Sequence, residues 1–172
     1  SLTGGEAVKA FTVPLKAIGI WKLDVDLYLI KARTDAGIGD FAAMSEEQRE
    51  QVLKSKKDNV DYEVFDEIPF WSNGGGFTNK LRNTLYVVDA KAKTCTPITA
   101  PLFMTGDVDV KEGKVLYTGE EYTSRPQRKA SVYLYDVKAK TTECIYDKKE
   151  YSIHEAAFFG EAIVLAAATT TR

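Results

Sequence analysis

The feature that most restricts the fold of this chain is a repeat with a spacing of 47 residues. Residues 85–94, LYVVDAKAKT, return at residues 132–141 as VYLYDVKAKT. The same spacing relates Gly113 to Gly160, and each glycine precedes an apolar run. A spacing in the forties with several short strands per unit is typical of a β-propeller, whose blades are four-stranded antiparallel sheets. The sequence therefore predicts an all-β propeller, with a β-sandwich or an open meander as the alternative.

Short runs rich in β-branched and aromatic residues divide the chain into blade units, in which we label the strands A to D from the axis outward. The predicted first unit spans about residues 17–99, with strands near 18–23, 27–33, 84–89 and 94–99. The second spans about residues 103–147, with strands near 103–109, 114–119, 131–136 and 142–147. The third, about residues 153–172, contains only strands near 154–159 and 162–168, and residues 6–14 are predicted to be the outer strand of a preceding blade. We thus expect one domain over residues 1–172, a partial propeller of about two and a half blades.

A helix is predicted in the long insertion between strands B and C of the first unit. Ser45 is a suitable N-cap, and Gln48 stands three residues later, as in a capping box. Acidic residues follow Ser45 directly, and lysines collect near residue 56, as the helix dipole favours. We expect the helix at residues 45–56.

Composition excludes several classes of function. The chain has 172 residues, 23 Lys and Arg against 25 Asp and Glu, and a formal net charge of −2. This balance gives no basic face for nucleic acid. No apolar run reaches the ~18 residues of a membrane span, and the start does not resemble a signal peptide. We therefore expect a cytoplasmic protein without nucleic-acid or membrane partners. Ser1 in place of Met, and a strand pattern close to Arg172, suggest a piece of a longer protein.

Metal and cofactor sites are not expected. The two cysteines, Cys95 and Cys144, fall on outer strands of successive blades, too far apart for a disulfide, and are predicted to be free thiols. His154 is the only histidine, and a lone histidine is more often structural than a ligand. The aspartate pairs at 24/26 and 107/109 begin like calcium loops but lack the later oxygen ligands, so we interpret them as turn and strand-edge residues.

Two adjacent stretches carry a family resemblance. Residues 68–77, IPFWSNGGGF, precede residues 81–89, LRNTLYVVD. Together they resemble the propeller of the prolyl oligopeptidase family, and are most similar to its acylaminoacyl-peptidase and dipeptidyl-peptidase branch. There, an aromatic-N-G-x-G-aromatic loop precedes an R-x-x-L-aromatic-V-V-D strand. We expect the glycines to form a flexible loop and Phe70, Trp71 and Phe77 to hold that loop against the blade.

The resemblance implies a non-catalytic function. In that family the propeller covers an α/β-hydrolase domain and restricts which peptides reach its Ser-Asp-His triad. This chain has no G-x-S-x-G nucleophile elbow and one histidine, so no catalytic residue is assigned within it. The expected function is substrate gating in a serine peptidase, with the missing hydrolase domain and peptide substrates as partners. A propeller scaffold that binds another protein, or a closed small-molecule-binding β-domain, remains an alternative.

The candidate substrate contacts lie in or beside the B–C connections, which should emerge at the same end of the blades. Glu120 and Glu121 resemble the glutamate pair that holds a substrate ammonium group in dipeptidyl-cleaving relatives. Arg125 lies in the same connection. Arg82 is predicted either to contact substrate or to pair with a carboxylate across the 68–89 segment.

A partial propeller should also expose strand edges. Unpaired edges tend to pair with another chain, so we expect a homo-oligomer or a strand-swapped dimer.

Overall fold

The structure is a computed structural model that describes residues 9, 11–59, 61, 64–147 and 150–169. This part of the chain is mostly β and contains one helix. The strands are β1 (Lys16–Lys22), β2 (Leu27–Asp35), β3 (Trp71–Ser72), β4 (Gly76–Phe77), β5 (Leu81–Asp89), β6 (Thr94–Pro97), β7 (Phe103–Lys111), β8 (Lys114–Glu121), β9 (Ser131–Asp136), β10 (Thr141–Tyr146), β11 (Tyr151–Phe159) and β12 (Ala162–Thr169). The helix α1 spans Glu46–Asp58. In the described residues no helix is long and apolar enough to cross a membrane.

Two four-stranded antiparallel sheets have the strand order predicted for a propeller blade. The first sheet runs β1-β2-β5-β6, and the second runs β7-β8-β9-β10. A third unit consists of the hairpin β11–β12. In the described part of the chain each sheet is open, and the all-β, partial-propeller prediction is confirmed. The domain boundaries, and the larger propeller to which the chain would belong, stay predictions.

The sequence repeat forms the same hairpin in both four-stranded sheets, β5–β6 in the first and β9–β10 in the second. Asp89 Oδ1 accepts hydrogen bonds from Lys91 N at 3.0 Å and Ala92 N at 2.7 Å. In the second sheet, Asp136 Oδ1 accepts from the corresponding amides of residues 138 and 139, both at 2.9 Å. These backbone hydrogen bonds lower the pKa of Asp136. An aspartate that binds the amides two and three residues ahead forms a turn, which explains why the repeat places Asp before the lysines.

The core is continuous across the three units because the middle sheet is buried on both faces. Val115 and Leu116 are adjacent on β8 and are both fully buried. Val115 packs with Leu29 between the first two sheets, whereas Leu116 packs with Ile153 on the third hairpin. Successive strand residues point to opposite faces, so a strand buried on both faces is apolar without alternation.

Two aspartates attach the third hairpin to the second sheet. Asp107 Oδ2 on β7 accepts a hydrogen bond from Ala156 N at 3.1 Å. Asp109 Oδ2 accepts from Phe158 N at 2.8 Å. The pair at 107/109 therefore occupies strand positions, as the sequence suggested, and its carboxylates bind amides of the neighbouring unit.

The inserted helix begins as predicted. Ser45 Oγ accepts from Gln48 N at 3.2 Å, and Ser45 N donates to Gln48 Oε1 at 2.9 Å, which completes the capping box. No residue of α1 is buried. An ion pair between Lys56 and Asp35 ties the helix to the end of β2.

The predicted outer strand at residues 6–14 falls mainly outside the described residues. Its described positions, 9 and 11–14, belong to no strand. Phe11 and Val13 instead pack against the cluster of Ile30 and Tyr86 on the first sheet.

We predict that Leu116→Ala lowers the free energy of unfolding by about 2–5 kcal/mol, because it opens a cavity between the second sheet and the third hairpin. Urea unfolding measures the change. Leu53→Ala, at a side chain that is 58% exposed on α1, is the matched control and should stay within about 0.5 kcal/mol of the parent chain. Equal losses in the two variants would contradict the placement of Leu116.

Candidate functional site

The two long connections between strands B and C emerge at one end of the sheets, as the sequence predicted. We call this the loop end; it comprises residues 64–80, which precede β5, and residues 122–130, which join β8 to β9. The connections meet where Ile68 N donates to Ser124 O at 2.8 Å. The loop end therefore joins two neighbouring blades in one surface.

A buried ion pair organises the loop end. Arg82 on β5 is fully buried and Glu67 is 3% exposed. The guanidinium binds the carboxylate with both terminal nitrogens, Nη2 to Oε1 at 2.5 Å and Nη1 to Oε2 at 3.1 Å. This bidentate geometry is the strong form of a charge-assisted hydrogen bond.

The other donors of Arg82 bind backbone carbonyls from both blades. Nε donates to Leu102 O, Nη1 to Leu81 O and Nη2 to Tyr122 O, each at 3.0 Å. The Tyr122 ring also lies against the guanidinium, with Cζ 3.8 Å from the ring centroid. All five N–H groups of a guanidinium are thus used within the chain. The geometry favours the alternative in which Arg82 pairs with a carboxylate of its own loop.

The surroundings shift the pKa of two groups at this ion pair. Burial alone would raise the pKa of Glu67, but the hydrogen bonds from Arg82 and from Lys80 N, with the charges of both residues, leave that pKa below its ordinary value. Burial raises the pKa of Tyr122 despite the nearby arginine. Glu67 is therefore a carboxylate and Tyr122 a neutral phenol at neutral pH.

Glu120 and Glu121 have different surroundings in the structure. Glu120 accepts hydrogen bonds from Gln127 N at 2.9 Å and Arg128 N at 3.0 Å, and so closes the connection that follows β8. Glu121 is exposed. Adjacent residues of a strand point to opposite faces, which explains why one glutamate folds the loop and the other faces solvent. Their contact with a substrate stays a prediction.

Arg125 lines an open cleft at the loop end. The cleft has a volume of about 770 Å³ and lies between residues 68–69 and residues 125–129. Its charged lining side chains are Arg125, Arg128 and Lys129, all basic. Such a lining suits a carboxylate or another anionic group.

Four aromatic side chains of residues 64–80 form a half-exposed cluster. Phe65 packs on Phe70 and Phe77, with ring centroids 4.7 and 5.0 Å apart, and Trp71 meets Phe77 at 5.3 Å. Each ring is between 41% and 55% exposed. The expectation that Phe70, Trp71 and Phe77 hold the glycine loop against the blade is wrong, because these half-exposed rings pack on one another and on Phe65 at the hairpin β3–β4.

The glycines of that hairpin have the conformation that the sequence implied. Gly74 and Gly76 adopt φ values of 73° and 70°, in the left-handed region that favours glycine. Gly75 N donates to Ser72 O at 3.1 Å and closes the turn.

Neither cysteine belongs to the loop end. Cys95 and Cys144 are free thiols, as predicted. Burial, together with the charge of Asp40, raises the pKa of Cys95 to about 11, so this thiol is a poor nucleophile. His154 is exposed at a bulge of β11. Within the described ranges, no three His, Cys, Asp or Glu side chains are placed to hold a metal ion.

Two partners of Arg82 were missed from the sequence, the carboxylate of Glu67 and the ring of Tyr122. Glu67 stands directly before the IPFWSNGGGF segment and directly after Asp66, and nothing in the sequence shows which of these two acidic residues is buried. Tyr122 follows Glu120 and Glu121, and its position in the sequence does not indicate contact with an arginine 40 residues away. A buried arginine needs a carboxylate partner. Which carboxylate pairs with Arg82 depends on how residues 64–80 fold onto the end of β5.

Comparison with known proteins assigns no family. No protein-family model and no curated protein matches the chain. Among solved structures, the orthorhombic and the uncomplexed forms of Pyrococcus horikoshii acylaminoacyl peptidase are similar, each with 12% identity and a TM-score of 0.38. The match covers 88% of this chain and 28% or 29% of those chains, so this chain spans less than a third of their length. Similarity at this level assigns neither fold nor function.

We predict that Glu67→Gln lowers the free energy of unfolding at pH 7 by about 3–5 kcal/mol, because it leaves a buried guanidinium without its counter-charge. The pKa of Glu67 is depressed in the folded chain, so its stabilisation is present above the unfolded value of about 4.3 and is lost as the pH falls. Urea unfolding between about pH 7 and pH 3 should therefore show a smaller acid-dependent loss in the variant.

Glu50→Gln on the exposed face of α1 is the control for this measurement. It should leave the pH dependence of the parent chain unchanged. If Glu67→Gln behaves like this control, the carboxylate is not the partner of Arg82.

Proposed function

We propose that this chain is the non-catalytic, substrate-gating propeller part of a serine peptidase of the prolyl oligopeptidase type. The support is the IPFWSNGGGF and LRNTLYVVD pair of segments, together with the geometry that these segments adopt. The observation that carries the proposal is the Glu67–Arg82–Tyr122 contact, which fixes two long connections in one wall. A gate needs such a fixed wall, since a loop that moved freely would not select among peptides.

Each candidate residue has a role in this proposal. Arg82 positions the wall, and Glu120 shapes the connection that carries Arg125. Arg125 and Glu121 are exposed and are the proposed contacts with peptide substrates. The basic cleft favours a peptide carboxylate, whereas Glu121 favours an ammonium group. The hydrolysis itself belongs to an α/β-hydrolase domain elsewhere in the natural protein.

The test compares this chain with the full-length natural protein that contains it. Both are assayed with acyl-peptide and dipeptide chromogenic substrates, with and without a serine-directed phosphonate. We expect an inert chain, and a full-length protein that is active and gains the mass of one phosphonate group. An inert full-length protein that takes up no phosphonate would overturn the proposal.

We predict that Tyr122→Leu in the full-length protein relaxes the gate. The change removes the ring from the guanidinium but keeps an apolar side chain, and it should raise the kcat/KM ratio of long to short peptides about tenfold, ~1.4 kcal/mol. A small ester substrate, which needs no gate, should be hydrolysed at the parent rate. Tyr151→Leu on β11 is the matched control and should leave the ratio unchanged.

A propeller scaffold for another protein is the second candidate function. The specific observation in its favour is the half-exposed cluster of Phe65, Phe70, Trp71 and Phe77, since aromatic residues are enriched at protein interfaces. The phosphonate experiment separates the two candidates, because a scaffold predicts a full-length protein that is inert and takes up no phosphonate. The third alternative, a closed small-molecule-binding domain, predicted no exposed strand edges, and the open sheets contradict it.

A further inference from the structure

A pocket lies at the loop end, in the seam between the two four-stranded sheets. We call it the seam pocket; its volume is about 380 Å³, and residues of both sheets and of both connections line it, among them Arg33, Ser72, Asn83, Met104 and Tyr122. Both sheets beside it have all four strands of a blade, so its walls are formed within this chain. Its volume is in the range of small-ligand sites, about 300–1,000 Å³.

The pairing of β2 with β5 brings Arg33 and Asn83 into this seam. The two residues lie directly opposite each other in a regular antiparallel register, so their side chains share one face of the first sheet. Leu29 and Leu85 share that face by alternation, and they pack against the second sheet. The apolar contact between the sheets therefore gives way, at the loop end, to an arginine and an amide.

The side chain of Arg33 has no partner within the described residues. No hydrogen bond or ion pair joins its guanidinium to that part of the chain, although the side chain is half-buried. Other cations of β2 and β5 behave differently: Arg82 uses all its N–H groups within the chain, and Lys31 Nζ donates to Gly106 O on β7. Five donors of Arg33 are thus left for another molecule.

The acidic side chains at this end of the sheets are bound to other groups. A lysine of α1, the buried guanidinium and two loop amides are the respective partners of Asp35, Glu67 and Glu120. Among the described residues that line the seam pocket, only Arg33 is charged. The basic cleft adjoins the pocket, because Pro69 and Pro126 line both. An unpaired guanidinium in basic surroundings suits a carboxylate, which it binds with two parallel hydrogen bonds.

The rest of the lining suits an apolar residue of a peptide. Ile18, Leu81 and Met104 supply an apolar wall. The Asn83 amide can both donate and accept a hydrogen bond, as a peptide group requires of its partner. Tyr122 adds a neutral hydroxyl, since burial raises its pKa.

We propose that the seam pocket binds the carboxyl-terminal residue of a peptide. Arg33 and Asn83 hold its carboxylate, and Ile18 and Met104 contact its apolar side chain. The exposed basic cleft attracts anionic groups, whereas the half-buried Arg33 holds one where water competes less. This inference does not rest on the proposed gating function, because it concerns binding by this chain alone. A full-length protein without peptidase activity would leave it unchanged.

A matched pair of peptides tests the site by isothermal titration calorimetry with this chain at pH 7. The peptides are acetyl-alanyl-leucine with a free carboxylate and the same peptide with a carboxamide end. We expect the acid to bind with a Kd of about 1 mM or tighter, and the amide at least about tenfold more weakly. Equal affinity for acid and amide, or an acid that does not bind at about 10 mM, would overturn the proposal.

A third ligand separates a peptide from a free carboxylic acid. The ligand 4-methylpentanoate has a carboxylate and a branched apolar group but no peptide group. It should bind more weakly than the peptide acid, because it leaves the Asn83 amide and the hydroxyl of Tyr122 with fewer partners. Binding as tight as that of the peptide acid would overturn the assignment of a peptide.

Arg33→Gln tests the proposed counter-charge. It should weaken binding of the acid at least about tenfold and leave the amide unchanged, so that the two peptides bind alike. Arg49→Gln, at a half-buried arginine of α1 outside the pocket, is the matched control and should bind like the parent. Urea midpoints check that both variants fold. An Arg33→Gln variant that keeps the parent affinity for the acid would overturn the proposal.

Asn83→Asp is a second variant, in case glutamine disturbs the seam. It places a carboxylate directly opposite Arg33, which should pair with the guanidinium and repel the ligand. We expect the preference for the acid to disappear. Two-dimensional NMR of the parent locates the bound peptide: the amides of Arg33, Asn83 and Met104 should shift. Shifts confined to residues 125–129 would place the carboxylate in the exposed cleft and overturn the proposal.

Discussion

The loop end depends on the ion pair between Arg82 and Glu67. A buried charge is costly unless it is paired and hydrogen-bonded, and Arg82 meets this condition with donors to one carboxylate and three carbonyls. Those carbonyls belong to both blades. The same side chain that would be destabilising alone therefore holds the two connections in one arrangement.

The sheets depend on one another in a similar way. A sheet with two apolar faces needs a neighbour on each, and β8 has Val115 facing the first sheet and Leu116 facing the third hairpin. Asp107 and Asp109 on β7 of the second sheet also accept hydrogen bonds from two amides of the third hairpin. Packing thus fixes the distance between units, and the aspartates fix how β11 lies along β7.

Local interactions explain what the sequence alone could predict. Asp89 and its counterpart Asp136 each bind amides two and three residues away, and the capping box joins Ser45 to Gln48, three positions further on. Such interactions leave a pattern in the sequence wherever they occur. The repeat and the helix start were predictable for that reason.

The parts that sequence reasoning missed depend on contacts between distant residues. Glu67 and Arg82 are 15 residues apart, and Tyr122 is 40 residues beyond Arg82. Phe70, Trp71 and Phe77 were expected to hold the glycine loop against the blade, but their rings lie beside one another at the hairpin β3–β4. Burial of a ring follows from where its hairpin points, which the spacing of residues does not specify.

The surface that the loop end offers to a partner is made of side chains. They are a basic cleft, an exposed glutamate and four half-exposed aromatic rings. A surface of side chains discriminates among partners by charge and shape. The buried ion pair that holds the two connections together is not part of this surface, so the exposed side chains could change without loss of the arrangement that presents them.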